Sequence, residues 1–149
     1  MVKFKELKED LNTFSKEFCK ALNDNTEYEI AAKGWGVNFE GAMLLVYEAG
    51  GILEDTIRIF LDLKDGKCLG IKILNSEEEP PRPPVMTVRG NFEVWRKMRT
   101  TSLNPMKALM GGQLKLEGDM SLVMRYARAA SLLGSIAGKQ ESIKNLFQT

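Results

Sequence analysis

The sequence predicts a single α+β domain over residues 1–149. Three observations support this prediction: a helical spacing of apolar residues at the start, two alternating apolar runs around Asp65-Gly66, and later short helical segments interrupted by a strand. A chain of 149 residues with 44% hydrophobic content is long enough to bury one full-sized core.

The first element is an amphipathic helix. Its apolar residues recur at steps of three and four between charged residues, at Phe4, Leu7, Leu11, Phe14, Phe18, Ala21 and Leu22. The helix is predicted to end in Asn23-Asp24-Asn25-Thr26, because these side chains compete for backbone hydrogen bonds and favour turns. Residues 27–41 follow no period and hold Trp35 between two glycines, so they are predicted to form a loop with some strand.

The next segments predict strands. Residues 42–48 are almost entirely apolar between glycines, which is typical of a strand covered on both faces, with a short buried helix as the alternative. Two alternating runs follow, with apolar residues at Ile57, Ile59, Leu61 and Leu63 and then at Leu69, Ile71 and Ile73. These runs predict a hairpin around Asp65-Gly66.

The register of this hairpin depends on its loop. A two-residue loop would place the two apolar rows on opposite faces of the sheet. A three-residue loop over residues 64–66 instead pairs Leu61 with Leu69, and it leaves Gly66 in the left-handed position of a bulge. We therefore predict the three-residue loop, which also pairs Ile59 with Ile71 and Ile57 with Ile73.

The second half of the chain predicts three helices and two strands. Residues 75–84, with four prolines, form an exposed loop, and residues 85–88 form a strand. Asn91 is expected to cap a helix, Asn104-Pro105 to begin a second one that Gly111-Gly112 ends, and Asp119 to cap the last. Residues 113–117 alternate as a strand. The last helix has an apolar side formed by Met120, Val123, Met124, Ala127, Ala130 and Ser131, and it is loosened by Gly134 and Gly138.

The composition excludes several classes of function. The chain has no histidine, which removes Ser-His-Asp and Cys-His nucleophile pairs, imidazole bases and His-ligated zinc or haem. It has no glycine-rich phosphate motif and no ionisable pair at catalytic spacing, so we predict neither an enzyme nor a cofactor. A net charge of +1 argues against nucleic acid as a partner.

The cysteines and the lengths of the apolar runs indicate where in the cell the protein is expected to be. Cys19 and Cys68 lack a C-x-x-C spacing and are expected to be buried, reduced thiols. No apolar run approaches the ~18 residues that span a bilayer, and the chain starts with a charged amphipathic pattern rather than a signal segment. The expected location is cytoplasmic.

Methionine is unevenly distributed. Six of the eight methionines lie in the second half, at Met86, Met98, Met106, Met110, Met120 and Met124. Methionine fills irregular gaps in cores and also lines surfaces that accept apolar partners of varying shape. Periodicity does not separate a packed core from a lined cavity, so both interpretations stay open.

The segment from Leu103 to Met124, LNPMKALMGGQLKLEGDMSLVM, resembles the signature stretch of the sterol carrier protein type 2 family. In that family an L-x-P-x-K-A-hydrophobic-x-x-G-x-L unit precedes G-(N/D)-M and the C-terminal helix. The hairpin around Asp65-Gly66 and the elements over residues 85–99 follow in the family's order. The resemblance covers residues 42–133, so residues 1–41 are interpreted as an N-terminal helix and loop extension.

The resemblance implies a five-stranded, mostly antiparallel sheet with helices packed on one face, enclosing an apolar tunnel. The tunnel would take up a fatty acyl chain, acyl-CoA, a phospholipid or a sterol. The residues expected to line it are Trp95, Met98, Leu103, Met106, Leu109, Met110, Leu114, Leu116, Met120, Val123, Met124 and Ala127. Lys115, Arg125 and Arg128 are head-group candidates because they lie on or near the last helix.

The function implied is non-catalytic lipid binding and transfer, with transient membrane contact and a homodimer as further expectations. Ile143, Leu146 and Phe147 are expected to act as a lid hinged at Gly134 and Gly138. The alternative is a protein-interaction or dimerisation accessory module of the same fold. Burial of the N-terminal helix and the Trp35 loop against a partner, together with a filled tunnel, would distinguish this alternative.

Overall fold

The computed structural model describes residues 2–100 and 105–142. In chain order the elements are α1 Phe4–Asn23, α2 Thr26–Ala31, β1 Ala42–Glu48, β2 Ile57–Lys64, β3 Lys67–Leu74, β4 Met86–Asn91, α3 Phe92–Thr100, α4 Pro105–Met110, β5 Lys115–Gly118, α5 Met120–Arg125 and α6 Ala127–Gly138. Within these ranges, none of the helices combines the length and apolar character that crossing a bilayer requires.

The strands form one five-stranded sheet in the order β3-β2-β1-β4-β5. Strands β1 and β4 are parallel, while every other neighbouring pair is antiparallel. The predicted α+β class and the mostly antiparallel sheet are therefore confirmed. The single parallel pair makes the sheet mixed.

The β2–β3 hairpin has a different register from the predicted one. Its turn holds two residues, Asp65 and Gly66, with Lys64 opposite Lys67, and a bulge follows where Leu69 has no partner. The bulge shifts the pairing by one residue, so that Leu61 faces Ile71 and Ile59 faces Ile73. Ile71 and Ile73 still share a face with Leu61 and Ile59, because the bulge shifts the pairing as the longer loop was predicted to do. Leu69, which was predicted to join them, is 61% exposed at the bulge. Gly66 has the predicted left-handed backbone, with φ of +80°.

The N-terminal region contains one more helix than predicted. Helix α1 ends at Asn23 as expected, but residues 26–31 form α2 instead of a loop. The Asn25 side chain accepts a hydrogen bond from the Tyr28 N–H at 2.8 Å and so caps α2. The cluster of turn-forming residues thus ends one helix and begins the next.

The later helices follow the predicted caps but not the predicted continuity. The Asn91 side chain accepts from the Val94 N–H at 3.0 Å, and that of Asp119 accepts from the Ser121 N–H at 2.9 Å. Pro105 begins α4, whereas Asn104 lies outside the described residues. The single helix predicted after Asp119 is divided at Tyr126, whose ψ of 32° is not helical.

The expectation of two reduced thiols is wrong, because Cys19 of α1 and Cys68 of β3 form a disulfide. Their Cα atoms lie 5.4 Å apart although 49 residues separate them in sequence. The Asn23 side chain joins the same two elements, accepting from the Cys68 N–H at 2.8 Å and donating to its carbonyl at 3.0 Å. Sequence spacing could not reveal this pair, since it arises only when α1 packs on β3.

The two faces of the sheet are covered differently. The main core joins the helices to the inward residues of the strands, such as Ile59 and Val88. A smaller cluster on the opposite face consists of the strand residues Ala42, Leu44, Val46, Phe60 and Leu74. The proline-rich segment lies over that face, where the Arg82 guanidinium is 5.6 Å from the centre of the Phe60 ring.

Candidate functional site

A cavity of about 450 Å³ lies between the inner face of the sheet and the helices. The strands supply one wall through the alternate residues that face inward, including Met43, Leu45, Ile59 and Leu61. The helices supply the other wall, which includes residues of α1, α2 and α6.

Helix α6 contributes mostly small residues to the lining, with Leu133 as its one large side chain there. Ala129, Ala130, Gly134, Ala137 and Gly138 all line the cavity. Side chains of this size cannot reach across to the strands, whereas a helix with leucines at these positions would fill the interior to normal packing density. The small residues of α6 therefore help to leave this space unfilled.

Aromatic rings form part of the cavity lining. The rings of Tyr47 and Trp95 stack with centroids 4.6 Å apart, and Trp35 meets Tyr126 edge to face at 5.2 Å. The indole N–H groups are satisfied by backbone carbonyls: Trp95 donates to Val46 at 3.0 Å, and Trp35 donates to Gly41 at 2.8 Å. These bonds fix the rings, so they present rigid apolar surface to an occupant.

The described lining carries no lysine, arginine, aspartate or glutamate. Its polar side-chain groups are the indole N–H groups and the hydroxyls of tyrosine and serine residues. Burial raises the pKa of the Tyr28 and Tyr47 hydroxyls well above the usual range, so both remain neutral at physiological pH. This wall suits an apolar guest and offers no charged group for acid, base or nucleophilic chemistry.

The structure brings six of the predicted lining residues to the cavity: Trp95, Met98, Leu109, Leu114, Leu116 and Val123. Met106 and Ala127 are half-buried but do not line it. Met110, Met120 and Met124 are 73%, 37% and 57% exposed and do not line it. Leu103 lies outside the described residues, as do Ile143, Leu146 and Phe147.

The three exposed methionines show the limit of a periodicity argument. A helical repeat defines an apolar side, but it does not say whether the whole side reaches the core. Helices α4 and α5 have only 6 residues each, so each buries about one turn. Ala108 and Val123 are their buried residues.

The three head-group candidates also lie away from the cavity. Lys115 is exposed on β5 between the lining residues Leu114 and Leu116. Arg125 is exposed on α5. Arg128 donates to the Glu27 carboxylate at 2.8 Å, and this exposed ion pair joins α6 to α2.

The sequence analysis missed the N-terminal part of the site. Phe14 and Phe18 of α1, Tyr28 of α2, and Ala32 and Trp35 after it all line the cavity. The apolar stripe of α1 signalled a core-facing helix, but nothing local indicated that it faces a space. The loop that holds Trp35, in which the sequence showed no period, is part of this lining.

Comparison with known proteins identifies relatives of this chain. A family model described as the SCP-2 sterol transfer family matches residues 4–131. The match includes α1 and α2, which the sequence-based resemblance left outside the family core. Comparison with curated proteins gives no match.

Solved structures show the same relationship. A crystal structure of sterol carrier protein 2 is 27% identical over 85% of this chain and 95% of that protein, with a TM-score of 0.73. The solution structure of a conserved hypothetical protein of Thermus thermophilus is 27% identical over 85% of each chain, with a TM-score of 0.71. A sterol carrier protein domain of Helicoverpa armigera, 21% identical over 89% of this chain and 91% of that one, shares the fold with a TM-score of 0.54.

Proposed function

The chain belongs to the SCP-2 sterol transfer family, and on that premise we propose that it binds one lipid in the cavity and transfers it unchanged. The ligand is a molecule with a long apolar body, such as a fatty acyl chain, acyl-CoA, a phospholipid or a sterol. The cavity between the sheet and α6 is the observation that carries this proposal.

The size and lining of the cavity support lipid binding. Ligand pockets typically measure about 300–1,000 Å³ and are mostly apolar with a few polar groups. A dry apolar cavity of about 150 Å³ already takes up benzene. The cavity here, of about 450 Å³, is therefore large enough for a considerable length of hydrocarbon.

Burial of hydrocarbon supplies the affinity. Each methylene moved from water into an apolar site contributes about 0.8 kcal/mol. A long acyl chain thus binds without a covalent bond or a salt bridge. The absence of histidine from the whole chain and of charged side chains from the described lining supports a carrier that performs no reaction.

Transfer implies brief contact with a donor or acceptor membrane, which we include in the proposal. The ligand contacts proposed are those that line the cavity, with Trp95, Met98 and Leu114 among the residues expected from the sequence. The accessory-module alternative has no observation in its favour, because Trp35 and the apolar side of α1 are buried within the chain itself.

A substitution that fills the cavity tests the proposal. Ala129 lines the cavity and is buried, so Ala129→Phe places an aromatic ring where the lipid would lie. Displacement of a fluorescent fatty acyl probe should show binding to the natural chain and at least a tenfold weaker binding to this variant.

Ala127→Phe is the matched control, because it adds the same ring to the same helix outside the cavity. Binding by this variant should equal that of the natural chain. Native mass spectrometry reports the same outcome as mass added by lipid. Failure of the natural chain to bind a panel of acyl lipids and sterols, or equal binding by both variants, contradicts the proposal.

A further inference from the structure

We infer that the Tyr28 hydroxyl holds an uncharged oxygen of the bound lipid, so that the cavity prefers lipids with a hydroxyl or carbonyl group over those with a charged one. This inference rests on the proposed function and adds to it the chemical class of the ligand. It starts from the Tyr28 hydroxyl, a buried polar group that has no hydrogen-bond partner among the described residues.

Tyr28 is fixed in place by its surroundings. Its side chain is only 1% exposed and lines the cavity. Its backbone N–H is held by the Asn25 side chain at 2.8 Å, and α2 is joined to α6 by the ion pair between Glu27 and Arg128. The ring therefore has little freedom to turn its hydroxyl toward solvent.

The Tyr28 hydroxyl makes no hydrogen bond to any residue in ranges 2–100 and 105–142. This distinguishes Tyr28 from Trp35 and Trp95, whose N–H groups in the same lining are paired with backbone carbonyls. Buried hydroxyls nearly always have a partner, because leaving one unpaired forfeits the hydrogen bond it made in water. The adjoining cavity is where such a partner can enter.

The Tyr28 hydroxyl prefers a partner that accepts a hydrogen bond. Because burial raises its pKa far above the usual range, it keeps its proton and offers an O–H to an acceptor oxygen. A lipid hydroxyl or ester carbonyl satisfies it. A carboxylate or phosphate would also accept the hydrogen bond, but its charge must then be buried.

The lining decides between these acceptors. No lysine or arginine among the described residues reaches the cavity to balance an anion. Transfer of an unpaired ion into an apolar interior is strongly unfavourable. An ionised head group therefore stays outside the cavity, and only a neutral group can reach Tyr28.

The experiment compares three probes of equal chain length: hexadecane, hexadecanol and hexadecanoate, each displacing a fluorescent acyl probe at pH 8. The natural chain should bind hexadecanol more tightly than both others. Tyr28→Phe should lower the affinity for hexadecanol by about fivefold to tenfold, the effect of one lost hydrogen bond, and leave that for hexadecane unchanged. Cholesterol, added as a fourth probe, shows whether a ring hydroxyl uses the same contact.

The pattern of binding distinguishes the possible failures. If the natural chain binds none of the four probes, the proposed function fails and this inference with it. If Tyr28→Phe binds hexadecane normally and loses no hexadecanol affinity, the inference alone is overturned. A selective loss of hexadecanol in Tyr126→Phe and not in Tyr28→Phe overturns it as well, because Tyr126 also lines the cavity.

Discussion

Gly66 occupies a position where the backbone and the packing both require glycine. Its φ is +80°, and a Cβ atom there would lie 2.6 Å from the Glu29 carbonyl oxygen of α2. Gly66→Ala would combine left-handed strain of about 1–2 kcal/mol with a clash against backbone that cannot move aside alone. We expect the free energy of unfolding to fall by more than about 2 kcal/mol, measured by urea denaturation.

Gly112 provides the control for this effect. Its φ is +77°, but a Cβ atom there would have no neighbour within 4 Å. Gly112→Ala should therefore cost only the backbone strain, about 1 kcal/mol. An equal decrease in the free energy of unfolding in the two variants would show that a Cβ atom at Gly66 does not clash with α2.

At the scale of elements, the disulfide fastens α1 to the edge strand β3. Closing a loop between Cys19 and Cys68, 49 residues apart, restricts the unfolded chain and typically stabilises a fold by about 2–4 kcal/mol. Reduction with a phosphine should lower the free energy of unfolding by that amount. The variant carrying Cys19→Ser and Cys68→Ser should show the lower value with or without reductant.

The same bond bears on the expected cytoplasmic location, because lasting disulfides are rare in that compartment. A protein kept there should yield two alkylated thiols when cells are lysed in the presence of an alkylating agent. Complete resistance to alkylation would place the protein in an oxidising compartment.

In the stability measurement, an unchanged free energy of unfolding on reduction would show that α1 is held by packing and by Asn23 alone.

The proline-rich segment is anchored by charge rather than by burial. The Arg82 guanidinium donates to both oxygens of Asp62, at 2.6 and 3.2 Å, and to Glu40 at 2.9 Å. The hydrogen bond from Arg82 lowers the pKa of Glu40. This interaction therefore stabilises the fold above the ordinary carboxyl pKa of about 4.3, and the contribution is lost as the pH falls through the lowered value.

We expect Glu40→Gln to reduce the free energy of unfolding by less than about 1 kcal/mol at pH 7, because the pair is partly exposed and screened. The difference from the natural chain should shrink as the pH falls below the ordinary carboxyl pKa of about 4.3 and through the lowered pKa of Glu40. Urea denaturation at a series of pH values measures it. A difference that stays constant with pH would assign the effect to packing instead of charge.

The elements also show which parts of the fold are readable from sequence. The helix of residues 4–23 and the caps at Asn91 and Asp119 were predictable because each depends on residues within one or two turns. The bulge at Leu69 was not, since both solutions to the hairpin register place Ile71 and Ile73 on the buried face and differ only in whether Leu69 joins them. The disulfide required knowledge of which strand lies beside α1.

The same distinction between local signals and contacts between elements applies to the candidate site. Leu114 and Leu116 line the cavity, and both lie in the segment with the strand alternation and the family motif, which are local signals. Tyr28 was missed because it lies in α2, and the turn-forming residues 23–26 before it led to the prediction of a loop there. The cavity itself is lined by residues of the sheet and of several helices, the small residues of α6 among them, and no single segment contains that relation between elements.

At the scale of the whole molecule, an unfilled interior makes stability depend on the ligand. A lipid that binds only the folded chain stabilises it by about 2.7 kcal/mol at a free concentration one hundred times its dissociation constant. For a chain of this size that corresponds to a rise in Tm of about 5–11 °C. Ala129→Phe occupies the space and should show no rise, whereas Ala127→Phe should behave as the natural chain does. Thermal unfolding followed by circular dichroism, with and without hexadecanol, measures the difference. An equal rise in both variants would mean that lipid binds at the surface, and the interior would then have no part in transport.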